Sequence, residues 1–182
     1  MKKTIMLCVI ALAAACLPGG CSSFREATVR ITEAQLQERI SKKFPITKTQ
    51  QLLGTVTYEN PRISLQRKDN RVELRLDISL SNIAINGKDL RGTVELLASV
   101  VYDSEEKALY LKKPQLQQFI LNGVPEQNVQ LLSGLFMPAI EKLLKRKPVY
   151  RLKDLEGFKN LAAMLVKDVR VRKGYLEILF GV

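Results

Sequence analysis

The 182-residue chain contains no histidine and no tryptophan, and its three cysteines, Cys8, Cys16 and Cys21, all fall within the first 21 residues. Without an imidazole, no histidine-based general base or nucleophilic triad can be assembled. Beyond Cys21 the usual nitrogen and sulfur ligands for zinc, copper or iron are also missing, so no metal site and no cofactor is expected. Glycine is too sparse for a phosphate-cradling loop, since Leu90-Arg91-Gly92 and Gly19-Gly20 lack the strand–loop–helix context that such a loop needs. Carboxylates are outnumbered, 18 against 29 lysines and arginines. Glu105-Glu106 reads as part of a turn, and Glu73 and Asp77 alternate with Arg75 on the polar face of a strand. A two-carboxylate hydrolase is therefore not indicated. No catalytic residue is assigned, and the chain is not expected to be an enzyme.

What is present begins at the N-terminus. Lys2 and Lys3 precede an uncharged apolar run from Ile5 to Leu17, closed by Pro18-Gly19-Gly20 ahead of Cys21. The run is shorter than the roughly 20 residues a membrane-spanning helix requires, and it carries no polar face as a core helix would. It has the three parts of an export signal. If cleavage precedes Cys21, the mature chain retains one cysteine, which excludes an internal disulfide and leaves a thiol with a use to find. Residues 1–20 are thus expected to be a signal peptide, residues 21–30 a tether and residues 31–182 one α+β domain. Removing residues 1–20 leaves 27 basic and 18 acidic residues, a net charge of +9. Such a surface is drawn to anionic headgroups or glycans. The export signal argues against nucleic acid as the partner.

Residues 17–23, LPGGCSS, resemble the lipobox of bacterial lipoproteins, with Pro18 standing where leucine is commonest. The resemblance implies lipidation of Cys21, with diacylglycerol on the sulfur and an acyl group on the new N-terminus. Cys16, preceded by Ala13-Ala14-Ala15, is the alternative. Ser22 after the cysteine, in place of Asp, implies by the same resemblance the periplasmic face of the outer membrane.

Along the mature chain, Thr32 can cap a helix with Gln35 as its capping-box partner and Ile31 stapled against Leu36. Leu36, Ile40 and Phe44 follow as one stripe that stops at Pro45. That helix packs on the body or lies on the bilayer with Arg39, Lys42 and Lys43 toward headgroups. Between Leu52 and Lys113 the apolar period falls to two. Val56, Tyr58, Ile63 and Leu65 flank a kink or bulge at Asn60-Pro61, and Val72, Leu74, Leu76, Ile78 and Leu80 alternate strictly after a turn at residues 68–71. A bulge is expected near Ser81-Asn82, a turn at Asn86-Gly87-Lys88, and further strands through Val94–Tyr102 and Ala108–Lys113. Residues 114–123 read either as a short helix or as a continuing strand. Residues 126–147 form the longest helix, with Val129, Leu132, Leu135, Phe136, Ala139, Ile140, Leu143 and Leu144 on one broad face. Pro138 should kink or divide it. A short helix from Asp154 to Leu165 and a hairpin of Val169 and Val171 against Leu176, Ile178 and Phe180 complete the order α, four β, long α, short α, two β.

Two basic clusters stand out, Lys142–Lys147 at the end of the long helix, and Lys167, Arg170, Arg172 and Lys173 on the hairpin. Each is ordinarily a solvated surface, and together around one mouth they would form an electrostatic funnel. The apolar faces of sheet and helix either fill each other or leave an elongated slot fit for an acyl chain.

Thr28–Leu36 behind the lipobox, Val56-Thr57-Tyr58-Glu59-Asn60-Pro61-Arg62-Ile63, and Lys147-Pro148-Val149-Tyr150 together resemble the YceB-like (DUF1439) family of small bacterial lipoproteins. The resemblance implies a curved antiparallel β-sheet, a meander plus a C-terminal hairpin, wrapped around a long helix, as in small tubular lipid-binding proteins of the bactericidal/permeability-increasing (BPI, TULIP) type. The function it implies is an outer-membrane lipoprotein that binds a lipid or another hydrophobic ligand noncovalently. The alternative is a structural or adaptor lipoprotein that holds an envelope protein partner without lipid.

Overall fold

The computed structural model describes residues 26–50, 54–65, 69–81, 89–155, 157, 159 and 165–181. The export segment with Cys16 and Cys21, the turn at 86–88, Asn82 of the bulge expected near Ser81-Asn82 and most of the short helix expected at 154–165 lie outside them. Among the described residues the chain is an α+β fold of nine strands and one long helix, with an unclosed, curved antiparallel sheet.

The segment expected to be a tether becomes a strand at its C-terminal end. β1 (Ala27–Thr32) pairs antiparallel with β9 (Tyr175–Gly181), Val29 opposite Ile178 and Ile31 opposite Leu176. Ile31 is fully buried, and the Arg30 guanidinium covers the Tyr175 ring at 5.0 Å. So short an alternation carries little local signal; its partner lies at the other end of the chain. β8 (Leu165–Arg172) completes a three-stranded sheet, and the hairpin has the expected register, Val169 opposite Ile178 and Val171 opposite Leu176.

Helix α1 (Glu33–Ser41) starts as its sequence dictates. The Gln35 N–H donates to Thr32 Oγ1 at 3.2 Å, and the Thr32 N–H donates to Gln35 Oε1 at 2.9 Å, closing the capping box. Leu36 and Ile40 are buried against the body, and Phe44 packs on the same core, so the apolar stripe of this helix belongs to the protein interior.

The second sheet is a six-stranded meander. Its strands are β2 (Ile46–Gln50), β3 (Gly54–Ser64), β4 (Arg71–Ser81), β5 (Leu90–Asp103), β6 (Ala108–Leu121) and β7 (Tyr150–Arg151), paired in that order. β2 and β7 extend the expected four strands at both edges. On β4 every even residue from Val72 to Leu80 is buried, while Arg75 pairs with Glu95 of β5 at 3.2 Å across the outer face. The β3 register shifts between Glu59 and Arg62, where Asn60 takes φ 46° ahead of Pro61, the bulge its sequence announces.

The ambiguous 114–121 stretch is strand. β6 exceeds β5 by one residue at each of two register shifts, between Leu97 and Ser99 and between Glu95 and Leu96. Lys113, at φ 53°, and Pro114 both fall in the first of these, where a missing N–H interrupts no ladder. Bulges of this kind increase local twist and bend a strand, which accounts for the curvature. Gly92 sits where β5 passes β6 so closely that a Cβ would come within 1.9 Å of the Ile120 carbonyl oxygen.

Helix α2 (Glu126–Arg146) spans 21 residues, about 31 Å at 1.5 Å per residue, and is not divided at Pro138. Val129, Phe136, Ile140, Leu143 and Leu144 are buried, and Phe136 meets Phe119 of β6 with ring centroids 5.0 Å apart. After Pro148, β7 runs into a 3-10 turn at Leu152–Asp154. One apolar cluster draws on both sheets and both helices: Ile31, Leu36, Leu74, Leu96, Ile140 and Ile178 all belong to it.

Candidate apolar groove with a cationic rim

On the side of α2 facing β6, Phe136 packs against Phe119, so there helix and sheet fill each other, the first of the two arrangements the sequence left open. A groove of about 400 Å³ runs along the other flank of the C-terminal half of α2, opposite β2 and β3. Leu135, Pro138, Ala139, Lys142, Leu143 and Arg146 recur on α2 at steps of three and one, and so lie along one face of the helix. Tyr58 of β3, itself buried, contributes from the sheet side. Lys48 and Thr49 supply the opposite lip from β2, the edge strand.

The lining is divided by chemistry. Leu135, Pro138, Ala139 and Leu143 are apolar, and Leu135 remains 41% exposed at the mouth. Lys48, Lys142, Arg146 and Lys147 add four cations, and among the described residues no carboxylate lines the groove. The volume falls in the range of about 300–1,000 Å³ typical of ligand pockets. Such an arrangement suits an amphiphile, its apolar part against the helix face and an anionic group at the rim.

The basic run at the end of α2 is thereby split. Lys142, Arg146 and Lys147 face the groove, whereas Lys145 pairs with Glu141 at 2.8 Å on the exposed side. The hairpin cluster does not join them. Arg170 pairs with Asp168 at 2.6 Å and Arg172 with Glu177 at 3.2 Å, which leaves an ordinary charged strand face on β8. The acidic residues are similarly engaged: Glu106 pairs with Arg151 at 3.3 Å, and Asp77 accepts from the Asn60 amide at 2.9 Å. Among the described residues no group of histidine, cysteine, aspartate and glutamate is placed to hold a metal ion. Among them, too, no helix is long and apolar enough to cross a membrane.

A second concavity adjoins the groove through Lys147. There α1 contributes Arg39, the turn that ends it contributes Lys42 and Lys43, and the segment after α2 contributes Tyr150, Arg151 and Asp154. The Lys43 ammonium donates to the Pro148 carbonyl. Burial, reinforced by Arg151, pushes that ammonium below the ordinary lysine range. Burial likewise pushes the Tyr150 phenol up, against the pull of Arg39, whose guanidinium stands 5.9 Å from the ring centroid. Sequence reasoning placed Arg39, Lys42 and Lys43 on one helix but gave no means of setting them beside Arg151. Lys48 escaped notice because β2 has almost no apolar period.

The family model described as a protein of unknown function, DUF1439, matches residues 31–175. The chain belongs to the DUF1439 family. No curated protein matches it. The DUF1439 match takes in α1, the whole meander, α2 and most of the C-terminal hairpin, and so includes every residue that lines the groove.

Proposed function

We propose that this DUF1439 chain is a lipoprotein of the cell envelope, anchored through Cys21 at the periplasmic face of the outer membrane, that binds a lipid or another apolar ligand noncovalently in the groove beside α2. The observation that carries the reading is the pairing of an apolar helix face, Leu135, Pro138, Ala139 and Leu143, with a rim of Lys48, Lys142, Arg146 and Lys147. A ligand with an acyl chain and an anionic head satisfies both halves at once. The anchor keeps the groove within reach of a membrane that supplies such molecules.

Native mass spectrometry of residues 22–182, expressed without the anchor and purified without detergent, tests this. The expected result is a bound lipid-sized mass that is lost when Ala139→Trp fills the groove. A uniformly ligand-free protein that takes up no added lipid would sink the idea.

A second reading is favoured by the sheet edges. Among the described residues, β8 and β2 each end a sheet with one side unpaired, which is the geometry by which an adaptor adds a partner's strand. Crosslinking in intact cells that repeatedly recovers one envelope protein at β2 or β8, with no lipid bound, would favour it.

A further inference from the structure

The concavity next to the groove is more strongly cationic than the groove and is built from different elements. Its volume is about 320 Å³. Five cations line it, Arg39, Lys42, Lys43, Lys147 and Arg151, against one carboxylate, Asp154. Several of these charges already have a partner. Arg39 stands 3.5 Å from Asp154, Lys42 bonds Glu38 at 2.5 Å on the outer side of α1, and Arg151 reaches Glu106 at 3.3 Å. Lys43 and Lys147 have no ion pair among the described residues.

Lys43 is the centre of the arrangement. Its side chain is half-buried, and its ammonium is fixed by the Pro148 carbonyl, so it does not extend into solvent as a surface lysine does. Three further cations, Arg151, Lys147 and Arg39, disfavour its charge, with only Asp154 opposing them. A held cation among like charges is costly unless an anion completes the set. Two guanidinium groups in the same lining, Arg39 and Arg151, offer the planar forks that match the oxygens of a tetrahedral oxyanion.

We propose that this pocket is a binding site for a phosphate group, carried as a mono- or diester. A single carboxylate would satisfy fewer of the donors, and the volume leaves room for the group esterified to the phosphate. The site is independent of whether the groove is filled; it shares only Lys147 with it.

The test uses the full chain in a non-ionic detergent, titrated calorimetrically at low salt with inorganic phosphate, with glycerol 3-phosphate and with dihexanoyl phosphatidic acid. Saturable binding of inorganic phosphate is expected. Lys43→Met and the exposed Lys147→Gln should each weaken it by about tenfold, the loss of one charge-assisted contact. Lys173→Gln, on the hairpin turn, should not. Thermal melts establish that each variant is folded, and Lys147→Gln keeps the test valid if Lys43→Met is not. Equal affinity for the free and esterified forms assigns the site to soluble phosphates, while tighter binding of phosphatidic acid assigns it to a lipid headgroup. Two results would overturn the proposal: no saturation by any of the three probes up to about 10 mM, weaker than any useful affinity, or wild-type affinity in both pocket variants. Ala139→Trp should leave inorganic phosphate binding intact, and a parallel loss there would move the phosphate into the groove and overturn the assignment to this pocket.

Discussion

The Asn70 side-chain oxygen accepts the backbone N–H of Val171 at 2.6 Å, joining the residue ahead of β4 to the C-terminal end of β8 across 101 positions of sequence. Beside it the Gly174 N–H donates to the Leu65 carbonyl at 3.1 Å and the Glu33 N–H to the Gly174 carbonyl at 2.9 Å. The Glu33 carboxylate accepts the Leu65 N–H at 2.7 Å. Both sheets and the first turn of α1 meet at this seam, so the hairpin is held to the meander by directional bonds as well as by the apolar cluster.

Asn70 adopts φ 57°, a region in which asparagine is tolerated and β-carbon sterics penalise most residues. Asn70→Gly keeps the backbone and removes only the acceptor, and should cost about 1–2 kcal/mol in urea unfolding through the lost bond to the part-buried Val171 N–H. Asn70→Ala should cost about 1 kcal/mol more, because alanine must also enter the left-handed region. Equal stability of the wild type and the glycine variant would show that the seam is held by packing alone.

Much of this architecture was legible because local chemistry and tertiary role agree. The Thr32–Gln35 capping box, the strict alternation of β4, the Asn60-Pro61 bulge and the Lys173-Gly174 hairpin each announce themselves within a dozen residues. β1, β2 and β7 did not. Each is short, β2 carries mostly polar side chains, and each is defined by a partner strand whose contribution no local period records. The groove was half legible for the same reason. Its α2 wall follows from helical spacing, but the Lys48 lip depends on where an edge strand happens to lie. Pro138 pointed to a kink or a division of α2, and of the two the division is absent, with Phe136, Ile140 and Leu143 packed on both sides of the proline.

Lys43 should give the protein a measurable alkaline dependence. The unfolded chain keeps the lysine proton up to about pH 10.4. The folded chain releases it earlier, because burial and Arg151 lower the pKa, with Lys147 and Arg39 adding to the effect and Asp154 opposing it. Over that window the unfolded state binds more protons, so stability rises with pH. Urea midpoints measured from pH 7 to pH 9.5 should therefore rise for the wild type relative to Lys43→Met, which has no proton to lose. Staying below pH 10 avoids the tyrosines Tyr102, Tyr110 and Tyr150, whose raised values act in the opposite direction. Parallel curves for the two proteins would exclude Lys43 as the source.

The proposed anchor makes its own prediction. Mass spectrometry of the mature N-terminus should find a fragment beginning at Cys21 that carries diacylglycerol and an N-acyl group, and Cys21→Ser should leave an uncleaved, unacylated chain. A lipidated fragment beginning at Cys16 would assign the site to the alternative residue.

Pro138 is the clearest place where stability and a groove compete. It sits inside α2, exposed, where a proline removes one backbone hydrogen bond and crowds the carbonyl four residues earlier, that of Gly134. The same proline forms part of the groove wall. Relative to alanine, proline in a helix interior costs about 3 kcal/mol and glycine about 1 kcal/mol. A Cβ at Gly134 would meet nothing within 4 Å, so its replacement is sterically free. Pro138→Ala should accordingly raise stability by about 1–3 kcal/mol, and Gly134→Ala by about 0.5–1 kcal/mol. If the proline shapes the groove, Pro138→Ala should also weaken uptake of added lipid, whereas Gly134→Ala, which does not line it, should not. A Pro138→Ala protein that gains stability and binds lipid as the wild type does would reduce Pro138 to a tolerated defect and leave Leu135, Ala139 and Leu143 as the apolar wall.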